Sequence, residues 1–79
     1  MNIFPIVNGK LGNTYKVVFV KGDIKIKRRL LELGFINTKV KILNHSFFKG
    51  VFLLQLRNFV VALRREEAKL VEVCEDGKQ

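Results

Sequence analysis

The sequence predicts a small, mainly β barrel of five strands with one or two short helices. Three observations point there. Arg28-Arg29-Leu30-Leu31-Glu32-Leu33-Gly34-Phe35 reads as the end of a helix, stopped by a glycine and handed straight to a strand. Val61-Ala62-Leu63-Arg64-Arg65-Glu66-Glu67-Ala68 reads as a strand entering one polar turn, followed by Leu70-Val71-Glu72-Val73 as a closing strand. The remaining segments are short β-rich runs bounded by turn residues, with no repeat, linker or low-complexity stretch.

Taken in order, Gly9-Lys10-Leu11-Gly12-Asn13 is a turn cluster. Residues 15–20 are aromatic and β-branched and predict a strand buried largely on both faces. Gly22-Asp23 ends it, and the Asp23 carboxylate is placed to cap a helix by accepting a backbone N–H from the first turn. From Ile24 the period becomes helical. Ile26, Leu30 and Leu33 form one apolar stripe, and Ile24, Leu31 and Phe35 a second. Lys25, Arg28, Arg29 and Glu32 face water, and Lys27 snorkels out of the apolar arc. Residues 39–43 alternate charged and apolar side chains, the pattern of a half-buried strand. Residues 44–50 are expected to be a loop holding His45, Ser46, Phe47, Phe48 and Lys49. Residues 51–56 and 59–63 are two strands joined at Arg57-Asn58, where asparagine tolerates the positive φ of a short hairpin turn. Residues 70–74 close the set, and 75–79 read as a frayed tail.

A chain of 79 residues makes a single domain, with its core at about residues 12–74. Such a chain buries little more than ~60% of its unfolded surface, so its stability is thin. Nearly half of the residues are apolar, seven of them phenylalanine, which suits a folded globule rather than a disordered chain. The longest apolar runs, 51–54 and 59–63, fall far short of the ~20 residues that a membrane-spanning helix needs. No secretory signal is visible, and the single cysteine, Cys74, cannot form an internal disulfide; a reducing cytoplasm is the expected location. Residues 1–65 hold thirteen Lys/Arg against Asp23 and Glu32, while residues 66–79 hold five acids against Lys69 and Lys78, for a net charge of +8. A basic body of this kind suits an anionic partner: nucleic acid, a membrane surface or an acidic protein face.

Catalytic chemistry finds little material. The one histidine, His45, and the one cysteine lie far apart in sequence, and no base with an orienting partner stands out. No glycine-rich phosphate loop is present, so the chain is expected to be no enzyme and to hold no cofactor. Metal ligands are equally sparse: His45, Cys74 and the acids Glu66, Glu67, Glu72 and Glu75, which are read as a solvated turn and edge rather than a metal site. A polyproline groove of the SH3 kind needs clustered aromatics, and the chain has no tryptophan and one tyrosine, Tyr15.

Binding residues are better represented. Adjacent Phe47 and Phe48 do not easily both enter one core, so at least one is expected at the surface as a contact anchor, for a partner or for self-association. Lys25, Arg28 and Arg29 form a basic helix face suited to steering towards acidic partner residues or an anionic membrane surface.

The element order, with Arg29, Leu30, Leu33, Gly34 and Phe35, then Val61, Ala62, Leu63, Arg64, Glu67 and Ala68, then Val71 and Val73, resembles the FeoA family. The same SH3-like domain is similar to the C-terminal domain of metal-dependent repressors of the diphtheria toxin repressor type. The resemblance runs from about Gly12 to Val73. Asn37-Thr38 stands where the family commonly has Pro-Gly, and Asn58 where it commonly has glycine; the family's usual opening motif is not visible in residues 1–10. The resemblance implies an SH3-like barrel and a cytosolic accessory protein of a FeoB-type ferrous iron transporter. That protein would act by binding the transporter's cytosolic or membrane part through Lys25, Arg28, Arg29, Phe47 and Phe48. The alternatives are a small basic barrel that binds nucleic acid and a detached repressor-type regulatory domain; the latter would call for a helix-turn-helix segment ahead of the barrel, which the sequence does not show.

Overall fold

The computed structural model describes residues 2–46 and 50–76. Among them six strands, two short α-helices and one 3-10 turn form: β1 (Phe4–Pro5), the turn Ile6–Asn8, β2 (Thr14–Val20), α1 (Ile24–Glu32), β3 (Lys39–Ser46), β4 (Val51–Leu56), β5 (Phe59–Arg64), α2 (Arg65–Ala68) and β6 (Val71–Glu75). The strands make one antiparallel sheet in the order β1-β6-β2-β3-β4-β5. No ladder joins β1 to β5 among the described residues, so the SH3-like barrel stays open on that side. There α2 packs against both the Ile6–Asn8 turn and β5.

The concave face holds one core: Tyr15, Val17, Val20, Val40, Ile42, Phe52, Leu54, Leu56, Leu63, Val71 and Val73 from the strands, closed by Ile6, Leu30, Phe35 and Ala68. Helix α1 begins as its sequence dictates, with Asp23 Oδ1 accepting the Ile26 N–H at 3.0 Å. It ends where Gly34 takes φ 113°, a conformation costly to any residue with a Cβ. Across the 36–39 connection Asn37 adopts φ 46°, the backbone job glycine would otherwise do.

Several expectations change. The sheet has a sixth strand, β1, whose two residues pair in register with β6 (Phe4 with Val73, Pro5 with Glu72). A strand that short has no periodicity to read; long-range pairing holds it. It brings Ile6 to full burial and sets the Phe4 ring edge-on to Tyr15 at 5.5 Å. Gly9 makes this approach possible, because a Cβ there would lie 2.8 Å from both Ile42 Cδ1 and the Tyr15 ring. Strand β2 is not buried on both faces: Val18 alternates outward and is 39% exposed, and a bulge between Val17 and Phe19 leaves Phe19 46% exposed as well. Residues 44–46 of the expected 44–50 loop are strand instead, since β3 continues through Ser46 and His45 stacks on Phe52 at 5.5 Å. In the β4–β5 hairpin the positive φ falls on Arg57 (43°), not on Asn58. Glu72, read as a solvated acid, is buried because β6 lies between β1 and β2, with Pro5 and Phe19 as its register neighbours. Lys21 Nζ stands 3.3 Å from Glu72 Oε2. That oxygen has no aligned hydrogen bond, so the contact is an ion pair without hydrogen-bond directionality.

Candidate partner-binding surface

Helix α1 lies between the Asp23 cap and Gly34, so its register is fixed at both ends. Of its apolar residues only Leu30 is fully buried. Leu31 is half-buried, Ile26 is 37% exposed and Ile24 is 71% exposed, so the second apolar stripe expected from the sequence is split: Ile24 points outward, while Phe35, past the end of the helix, lies in the core. The outward face forms an open groove of about 430 Å3 lined by Ile24, Lys27, Arg28, Leu31 and Glu32.

The three basic residues singled out on α1 take two different settings. Lys25 and Arg28 are exposed and, with Lys27, make no ion pair among the described residues. Arg29 points the other way, where its guanidinium pairs with Glu67 of α2. Glu67 is itself held by its other oxygen, which accepts the Arg64 backbone N–H at 3.1 Å as α2 begins. Arg64, at the N-cap, has no acceptor on its side chain, so the cap runs in one direction only. Arg29, Ala62, Arg64, Glu66 and Glu67 line a polar depression of about 500 Å3 between the two helices.

Phe47 and Phe48, the expected apolar anchors, lie outside the described residues. An apolar strip that the sequence did not single out crosses the convex face of β3–β4–β5. Leu53 and Ala62 are cross-strand partners there; Leu43 and Leu53 are 37% and 38% exposed, and Val60 is 52% exposed. The groove on α1 was nearer to hand in the sequence: Ile24 and Leu31, seven apart, bracket Lys27 and Arg28.

The one histidine and the one cysteine do not meet. Cys74 is buried on β6 beside Lys16, while His45 lies further along β3, two strands away. Among the described residues no three His, Cys, Asp or Glu side chains converge as metal ligands. The Tyr15 ring is 3% exposed in the core, and its oxygen accepts the Lys10 N–H at 2.7 Å. No helix among the described residues is long and apolar enough to cross a membrane.

Comparison with known proteins bears on the same architecture. A FeoA-like protein from Clostridium acetobutylicum superimposes with a TM-score of 0.86 at 20% identity, covering 100% of this chain and 93% of that one. The FeoA protein of Chlorobium tepidum gives 0.85 at 22% identity, over 96% of this chain and 73% of that one. A manganese-dependent transcriptional repressor in complex with manganese gives 0.86 at 16% identity; the match covers 95% of this chain and 37% of the repressor, so this chain resembles one part of it. At these identities the likenesses establish the fold. No curated protein matches the sequence. The FeoA domain profile, however, matches residues 4–74, from the first residue of β1 almost to the end of β6, and the chain therefore belongs to the FeoA domain family.

Proposed function

We propose that this chain is a cytoplasmic, non-catalytic accessory protein of a FeoB-type ferrous iron transporter, acting by docking on the transporter's cytosolic part. Family membership supports the iron-transport role: the profile covers nearly the whole fold, and one structural neighbour is described as an iron uptake regulatory protein. The observation that carries docking is the cationic, apolar-floored face of α1, where Lys25, Lys27 and Arg28 make no ion pair among the described residues. A surface of this kind steers a partner by charge and holds it by apolar contact. Phe47 and Phe48, which follow β3 in the sequence, add a second contact. Arg29 contributes more to fixing α1 against α2 than to reaching outward.

The test is binding of the purified chain to the cognate transporter's soluble GTPase domain, with and without nucleotide, beside a single-stranded DNA control. Binding to the GTPase domain is the expected result. Replacing Phe47 and Phe48 together by alanine should weaken it while leaving the fold intact; unchanged affinity would remove those two residues from the contact. Capture of DNA that falls steeply with salt, with no protein binding, would replace this reading by the nucleic-acid one.

A further inference from the structure

We propose that the outward face of α1 receives an amphipathic helix of a partner protein, seating one apolar side chain among Ile24, Lys27, Arg28 and Leu31 and flanking it with carboxylates. This rests on the accessory-protein reading and adds to it the shape and charge of the contacting segment.

The spacing is the first argument. Ile24, Lys27, Arg28 and Leu31 stand at i, i+3, i+4 and i+7, the four positions that frame the hole into which a facing helix inserts a knob. The groove of about 430 Å3 is lined by those four together with Glu32. The chemistry of the lining is the second. Ile24 is the most exposed large hydrophobic residue among those described, at 71%. Its seven-residue partner Leu31 forms the other end of an apolar floor. Lys27 and Arg28 form the walls, with Lys25 beside them, and none has a carboxylate partner among the described residues. A knob entering here brings its own neighbours against those cations, so acidic neighbours fit and basic ones do not.

Charge also selects among occupants. Two copies of this chain meeting antiparallel through α1 would set Lys27 and Arg28 against the same residues of the other copy, in a protein already at +8. An anionic lipid surface would satisfy the cations, but an interfacial helix offers it a continuous apolar face. Here the inward residue Leu30 belongs to the core, and the outward apolar pair is divided by charged walls.

The test titrates the isotope-labelled chain with a designed helical peptide bearing one leucine per heptad between glutamates. A second peptide has lysine in place of glutamate, and phosphatidylglycerol–phosphatidylcholine vesicles make a third arm. Amide shifts are expected at Ile24, Lys27, Arg28 and Leu31 with the acidic peptide and not with the basic one. Ile24→Asp and Arg28→Glu should each weaken binding about tenfold or more; both positions are exposed, and an unchanged amide spectrum elsewhere checks that the variants fold. Equal response to both peptides, shifts confined to another surface, or tighter vesicle binding that Ile24→Asp abolishes would each overturn the proposal, the last assigning this face to lipid. The same variants are then tried against the transporter's GTPase domain. Loss of binding supports the proposal. Wild-type binding that Ile24→Asp leaves unchanged overturns it and spares the accessory reading. Absence of wild-type binding counts against the accessory reading, and the peptide arm still decides this one.

Discussion

Glu67 holds two elements with one carboxylate, and its removal has a calculable cost. One oxygen accepts the Arg64 backbone N–H at 3.1 Å, and the other pairs with Arg29 of α1. Losing the first leaves an N–H at the start of α2 without its side-chain acceptor, about 1 kcal/mol. The ion pair is worth less, about 0.5 kcal/mol, because the Arg29 side chain is 54% exposed and solvent screens it. Glu67→Ala is therefore expected to destabilise by about 1.5 kcal/mol. In a domain of this size each kcal/mol shifts Tm by ~4–8 °C, so thermal unfolding followed by circular dichroism should show a fall of about 6–12 °C. Glu67→Gln keeps an acceptor for Arg64 and loses the charge, so it should show about a third of that loss. A cycle combining it with Arg29→Met should return a coupling of about 0.5 kcal/mol that shrinks with salt. If Glu67→Ala unfolds within about 0.3 kcal/mol of wild type, the carboxylate does not tie α2 to α1 in solution, and the reasoning from these two interactions fails.

Two further substitutions probe the fold. Leu30, fully buried under α1, should cost about 2–5 kcal/mol when replaced by alanine, read as a lower urea midpoint; a loss below about 1 kcal/mol would mean that the helix is not seated on the barrel as described. Arg57→Asn should stabilise by up to about 1 kcal/mol, read as a higher urea midpoint, since asparagine accepts the left-handed backbone that Arg57 holds at φ 43°. The substitution also removes the hydrogen bond that Arg57 Nε donates to Thr38 Oγ1, which at 3.5 Å is long; a lowered midpoint would show that this bond outweighs the backbone strain.

The features legible in the sequence were those whose cause is local. Asp23 as a cap and Gly34 as a stop act through groups within a few residues, and each appears as expected. Asn37 likewise takes the left-handed backbone that suits a turn after the helix. What escaped was set by distant partners. Phe4 and Pro5 become a strand only because Val73 and Glu72 lie opposite them. Glu72 is buried because strands from the other end of the chain cover it, and no neighbour in sequence announces this. The run Val17-Val18-Phe19-Val20 looked uniformly interior, but alternation turned Val18 to the outer face of the sheet and one extra residue at the bulge turned Phe19 out beside it. On α1 the periodicity identified two apolar stripes but not which of their members the barrel would claim. Packing took Leu30 from one and Phe35 from the other, and left Ile24 to solvent.

The place of β6 in the sheet has a consequence for how the protein comes into being. It lies between β1 and β2, so that Val73 is in register with Phe4 on one side and Val17 on the other. A ribosome makes Val71–Glu75 after every strand that β6 must join. The β3–β4 and β4–β5 hairpins have their partners close by in sequence and can close as they emerge. Until β6 clears the exit tunnel, β1 has no neighbour and β2 has one open edge with its apolar face bare. Completion of this fold thus waits for the last strand of the sheet and is governed by pairings that span the length of the domain. A premature stop before Val71 would remove the join between the two ends of the sheet rather than merely shorten one edge.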